Sequence, residues 1–159
     1  MGKNTPATNL PLHLQAECDA LRAFVALLET EQQALIDGRA EQLLALAESK
    51  THAVQKLNEL ANARRNELRT LGATVETSGM AAWLQAHAAS SLPIWHDIQQ
   101  FAEQAQQLNR NNGTLIQTRL RHNQQALTVL HNAANSIHGL YGPDGQPHLP
   151  TAGRVLGSV

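Results

Sequence analysis

Hydrophobic positions in the first part of the chain recur at alternating steps of four and three residues, which is the spacing of one face of an α-helix. Pro11 suits the start of a helix, and the pair Asp37-Gly38 suits its end and a turn. The pattern therefore predicts a first amphipathic helix that ends at a tight connection. Its stripe consists of Leu14, Cys18, Leu21, Val25, Leu28, Gln32 and Leu35.

A second stripe follows in the same rhythm and ends near Gly72. Because the connection is short, the two helices are predicted to form an antiparallel hairpin. Lys50 and Arg64 fall on the second stripe. They are interpreted as positions at the rim of the apolar contact between the helices, where their aliphatic stems cover this apolar seam. Carboxylates such as Glu17 and Glu31 lie mostly off the apolar stripes and are interpreted as solubilising groups. The stripe consists of Leu43, Ala47, Lys50, Val54, Leu57, Ala61, Arg64, Leu68 and Leu71.

The period is lost between Gly72 and Gly79, which indicates a loop, and a short helix from about Met80 to Ala88 is expected next. A third stripe then begins and steps over by one residue halfway, as a nearly straight α-helix requires. This pattern predicts one long helix from Leu92 to His138. Its stripe consists of Ile94, Ile98, Phe101, Ala105, Leu108, Asn112 and Leu115, followed by Ile116, Leu120, Asn123, Leu127, Leu130, Ala134 and Ile137.

Glycine and proline become frequent after Gly139, which is typical of a segment that does not form a packed core. The fold class predicted is all-α, with an antiparallel helical hairpin packed on a long C-terminal helix in an elongated bundle of three to four helices. Residues 10–138 are expected to form a single helical-bundle domain. Residues 139–159 are expected to form a flexible C-terminal interaction tail.

Composition argues against several functional classes. Lys and Arg number 12 against 13 Asp and Glu, a balance that disfavours a nucleic-acid-binding protein. The single cysteine excludes an internal disulfide or a cysteine zinc site, and Cys18 is expected to be a small buried hydrophobe. No apolar run is long enough to be a signal sequence or an integral membrane segment, so a cytoplasmic location is expected.

Eight histidines raise the question of a metal site, but no two are three, four or five residues apart. The helical histidine pairs of metal sites are therefore missing, and no phosphate loop, nucleophile elbow or catalytic triad pattern occurs. We predict no metal, no cofactor and no catalytic residues, and thus a protein that is not an enzyme.

Two asparagines interrupt the long stripe. At Asn112 and Asn123 a buried amide could fix the register of packed helices, or the seam could be incomplete and face a groove. Farther along, Leu120, Leu127 and Ile137 need cover from another helix, which could belong to another chain.

Three motifs in order resemble those of the FlgN family of flagellar secretion chaperones. They are Asn109-Arg110-Asn111-Asn112-Gly113 in the long helix, Asn123-Gln124-Gln125-Ala126-Leu127 after a short spacer, and Leu140-Tyr141-Gly142-Pro143-Asp144-Gly145-Gln146 near the end. The hairpin adds Glu29-x-Glu31-x-x-Ala34-Leu35, and the resemblance covers most of residues 14–146.

The resemblance implies a cytoplasmic, non-enzymatic export chaperone of bacteria. Its clients would be hook-filament junction proteins, bound by their C-terminal helical region and delivered to the flagellar type III export apparatus, with export gate or ATPase components as further partners. The alternative left open is a self-associating helical scaffold or adaptor without a client. The partner-binding residues predicted are Asn112, Leu115, Ile116, Leu120, Asn123, Leu127, Leu130 and Ile137, with Leu140, Tyr141 and Gly142 as a docking element.

Overall fold

The computed structural model describes residues 9–73 and 76–140, with side chains up to residue 136. Throughout these residues the fold is all-α, as predicted, and contains no strand. It divides into two units, Met1–Ile116 and Gln117–Val159. The helices are α1 (Leu10–Asp37), α2 (Ala40–Thr70), α3 (Met80–His87) and α4 (Leu92–Leu140), and single 3-10 turns at Thr77–Gly79 and Ala89–Ser91 flank α3.

The helix boundaries lie close to the predicted ones. Pro11 lies in the first turn of α1, where its missing N–H has no helical partner to lose. Gly38 ends α1 with a φ of 75°, and its N–H donates back to the carbonyl of Ala34. This left-handed conformation favours glycine and turns the chain sharply into α2. Gly72, with a φ of 73°, does the same just after α2.

The core of the first unit is built around α1. One cluster joins the beginning of α1 to α2, α3 and α4, and a second cluster joins the middle of α1 to α4. The apolar residues of the stripe predicted for α1 are all buried. On the stripe predicted for α2 only Arg64 and Leu68 are buried, and Val54 is exposed. The first cluster contains Leu10, Leu14, Cys18, Leu21, Leu68, Met80, Leu84, Trp95 and Ile98, and the second contains Val25, Leu28 and Ala105.

The interpretation of Glu17 and Glu31 as solubilising groups was wrong. Each is only 7% exposed. Glu17 pairs with Arg64 of α2, and Glu31 pairs with Lys50 of α2. Arg64 is likewise buried rather than at a solvated rim. Because the partners run in opposite order along the two helices, α1 and α2 are antiparallel, as predicted.

The contacts of α4 with α1 in the first unit run in the same order along both helices. Arg22 lies over the ring of Phe101, and farther along α1 the carbonyl of Leu28 accepts a hydrogen bond from Asn112. Within this unit α4 is therefore parallel to α1.

The second unit contains the part of α4 that follows Ile116. Every residue from 117 to 136 is exposed. The tail predicted for residues 139–159 lies outside the described residues from Tyr141 onward. Within the described part of the chain, no helix is both long enough and apolar enough to cross a membrane.

Candidate partner-binding surface

The second unit carries an apolar face whose described side chains are exposed. We call Leu120, Asn123, Leu127 and Leu130 the exposed stripe. Steps of three and four residues place these side chains on one face of α4. Leu120 is 57% exposed, Leu127 is 65% exposed and Leu130 is 66% exposed. Such a row of leucines is what a partner helix can cover.

The other predicted partner-binding residues are distributed differently. In the first unit Leu115 is half-buried and Ile116 is exposed. Ile137 and Leu140 belong to α4, but their side chains lie outside the described ones, and Tyr141 and Gly142 lie outside the described residues altogether. Partner binding by this set stays a prediction.

Asn112 is completely buried in the first unit. Its Nδ2 donates to the carbonyl oxygen of Leu28 and to Oε2 of Glu31, both at 2.8 Å. Nζ of Lys50 also donates to Oε2 of Glu31, at 3.1 Å. We call Glu31, Lys50 and Asn112 the Glu31 network. Of the two interpretations of Asn112, the structure shows the buried amide, whereas Asn123 is exposed.

A second polar contact joins the same three helices nearer the start of α1. Nε and Nη2 of Arg64 donate to the two oxygens of Glu17, at 2.7 and 3.2 Å. The guanidinium carbon lies 5.1 Å from the ring centroid of Trp95, within reach of a cation-π interaction. The sequence analysis did not identify Trp95 as a core residue. Trp95 lies three residues before Ile98, so the two side chains share one face of α4.

A groove runs between α2 and α4 in the first unit, with α1 as its floor. It consists of two hollows of about 310 and 280 Å³ that share Leu21, Leu57 and Ala102. The charged side chains in its lining are Glu17, Lys50 and Arg64, and all of them are paired. The sequence patterns did not predict this groove. An analysis of hydrophobic periodicity treats the small alanines that line the groove as ordinary core positions.

Among the described residues, the side chains that could bind a metal ion lie apart from one another, and the cysteine thiol is enclosed. Among them, no cluster of three His, Cys, Asp or Glu side chains could hold a metal ion. Cys18 is buried, and this burial raises the pKa of its thiol above the ordinary value, which favours the unreactive protonated form. His87 stacks on Trp83 with ring centroids 4.7 Å apart.

The chain is similar to known proteins along most of its length. The family model described as FlgN protein matches residues 7–148. Two relatives, each named Flagella synthesis protein FlgN, come from Yersinia enterocolitica and from its serotype O:8 / biotype 1B strain NCTC 13174 / 8081. Each is 29% identical over 140 residues, which cover 86% of this chain and 87% of the relative. No solved structure matches the chain. Because the family model spans most of the sequence, the chain belongs to the FlgN family.

Proposed function

We propose that this protein is a cytoplasmic, non-enzymatic export chaperone of flagellar assembly. It binds the C-terminal helical region of hook-filament junction proteins and delivers them to the flagellar type III export apparatus. The observation that carries this proposal is the exposed stripe, which presents leucines on one face of a helix. Family membership and the names of the relatives, which refer to flagella synthesis, support the assignment to flagellar assembly.

The exposed stripe has the physical properties that a reversible holding site needs. A client helix with its own apolar face would bury leucine surface on both chains, at roughly 25 cal/mol per Å² removed from water. Asn123 lies between Leu120 and Leu127 and interrupts this apolar surface. A polar group inside the contact lowers the affinity relative to an all-leucine stripe, because its amide must be desolvated. Binding of this kind can hold a client and still release it.

The first unit supports the same role by its buried polar contacts. Two buried polar contacts join α1, α2 and α4, one at Arg64 and one at Glu31. Polar groups that are buried and paired favour one register over its alternatives. Delivery is the second half of the proposal, and we assign it to Leu140, Tyr141 and Gly142 as a docking element for export gate or ATPase components.

Calorimetry with the full chain and the C-terminal helical segment of a hook-filament junction protein from the same organism tests the client-binding step. We expect a complex of about one to one with a negative heat-capacity change, which reports burial of apolar surface. The double variant Leu127→Asp/Leu130→Asp should lose this binding with unchanged helicity in circular dichroism. Leu12→Asp/Leu44→Asp is the matched control, since those leucines are 70% and 73% exposed on α1 and α2.

Two outcomes would contradict the proposal. Full client affinity in the Leu127→Asp/Leu130→Asp variant would place the client elsewhere. No complex with the unaltered chain, together with an association state that grows with concentration in sedimentation, would favour a self-associating scaffold. Delivery is tested separately by client export in cells carrying Tyr141→Ala, where we expect client binding to persist and export to fall.

A further inference from the structure

Charge is distributed unevenly between the two units. Residues 1–116 contain nine Lys and Arg against twelve Asp and Glu, whereas residues 117–159 contain three against one. The stretch 104–143 contains no Asp or Glu at all. The near-neutral total therefore hides an acidic first unit and a basic second unit, and the exposed stripe lies in the basic one.

One arginine lies at the edge of the exposed stripe. With 3.6 residues per turn, Arg119 and His131 fall about 60° to either side of its centre. Arg121 lies about 140° from the centre, on the polar face, and adds to the positive charge of this part of α4. One edge of the apolar face therefore carries the guanidinium of Arg119, and His131 lies at the other edge.

We propose that the exposed stripe is selective for an acidic amphipathic helix, one whose apolar face is edged by Asp and Glu. This inference rests on the proposed function and gives the client segment a chemical character. Acidic groups opposite Arg119 would align the client, and the positive charge of this part of α4 would suppress binding of basic helices. A second copy of the same helix is a poor partner, because it brings the same two arginines and no acidic side chain.

An anionic membrane surface would also attract these arginines, but Asn123 argues against it. The amide lies at the centre of the apolar face, so insertion of that face into lipid would bury Asn123 without a hydrogen-bond partner. A protein helix can place a polar side chain opposite the amide. The arrangement of Asn123 between leucines and of Arg119 at the edge thus fits a helix better than a bilayer.

Two synthetic peptides test this selectivity with the full-length protein. Both are amphipathic helices about three heptads long with the same leucine stripe, and their edge positions carry Glu in one and Lys in the other. We expect the Glu peptide to bind about tenfold more tightly at low salt, with the difference shrinking as salt is added. Vesicles of phosphatidylcholine and phosphatidylserine form a third probe, and we expect weaker binding to them than to the Glu peptide.

Charge reversal links the selectivity to the second unit. Arg119→Glu/Arg121→Glu should reverse the preference between the peptides. The matched control, Arg65→Glu/Arg69→Glu, changes two exposed arginines of α2 and should keep it. Equal binding of both peptides, an unchanged preference after Arg119→Glu/Arg121→Glu, or tighter binding to the vesicles would each overturn the inference.

The junction-protein segment separates the two proposals. If it does not bind the unaltered chain, the chaperone role is contradicted. If it binds with an affinity that charge reversal does not change, only the acidic-helix selectivity is contradicted.

Discussion

The amide of Asn112 and the carboxylate of Glu31 form a 2.8 Å hydrogen bond in the interior of the first unit. Oε2 of Glu31 also accepts from Nζ of Lys50 at 3.1 Å. One carboxylate thereby joins α1 to both α4 and α2. Since Asn112 is wholly buried and Glu31 nearly so, each depends on the other for hydrogen bonds that water does not supply.

Replacement of Asn112 by leucine should destabilise the bundle. Asn112→Leu removes one of the donors to the buried carboxylate of Glu31, which keeps Lys50, and the loss of a hydrogen bond to a charged group costs about 1.5–3 kcal/mol. Urea denaturation followed by circular dichroism measures the loss. Asn111→Leu is the matched control, because Asn111 is exposed and pairs only with nearby Gln107, so a change below about 0.5 kcal/mol is expected there. Equal stability of the two variants would show that the Glu31 network contributes nothing.

Asn112→Asp should make stability depend on pH. The substitution keeps the size of the side chain but places a second carboxylate beside Glu31, where two negative charges repel each other. Protonation of one carboxylate as the pH falls from about 7 to about 4 relieves this repulsion. We therefore expect the deficit in stability relative to the unaltered protein to narrow on acidification. Thermal melts at several pH values measure it, and a constant deficit would exclude repulsion at this site.

The pair Glu17 and Arg64 should show strong coupling in a double-mutant cycle. Arg64→Met leaves the buried Glu17 carboxylate without its cation and should cost about 3 kcal/mol. Glu17→Gln in the same chain removes that stranded charge, so the double variant should be more stable than the sum of the single effects predicts. Arg65→Met tests an exposed arginine of α2 as control. Additive losses across the cycle would contradict the direct pairing.

The errors of the sequence reasoning have a common physical origin. Glu17 precedes Cys18 on α1, one step off the apolar stripe, where a single helix would leave it in water. The hairpin instead brings Arg64 over that edge, so burial of the carboxylate depends on a helix nearly fifty residues away. Hydrophobic periodicity describes the face of one helix and contains no information about which charged side chains of a second helix will cover it.

More of the candidate partner-binding surface could be predicted from the sequence. The stripe through Leu120, Leu127 and Leu130 could be predicted from spacing alone, since leucine recurrence needs no knowledge of tertiary contacts. Its exposure is less easily predicted. The same pattern describes Leu21 and Leu28 of α1, which are buried, and only the three-dimensional arrangement distinguishes the two cases.

Cys18 should be protected from alkylating reagents and should make the fold sensitive to alkaline pH. Burial raises the pKa of its thiol, so the folded protein holds the proton more tightly than the unfolded chain does. The resulting stabilisation is complete below the ordinary thiol pKa of about 8.5 and is lost as the pH rises above it. Relative to Cys18→Ala, which cannot titrate there, the unaltered protein should lose stability across that range. Fast reaction of the native thiol with iodoacetamide would contradict its burial.

Asn123→Leu is expected to strengthen client binding and to slow release. The substitution makes the exposed stripe continuous from Leu120 to Leu130 and removes the cost of desolvating an amide, so client affinity should rise about tenfold, mainly through slower dissociation. A continuous leucine face also loses the polar position that discriminates among partners, so self-association should increase. Dissociation rates by surface plasmon resonance and sedimentation at several concentrations measure both effects. Asn132→Leu, on the opposite face of the same helix, is the control and should change neither.

Slower release in the Asn123→Leu variant should reduce client export in cells even though binding improves, because a chaperone must release its client for export. Improved binding with undiminished export would show that Asn123 does not set the release step.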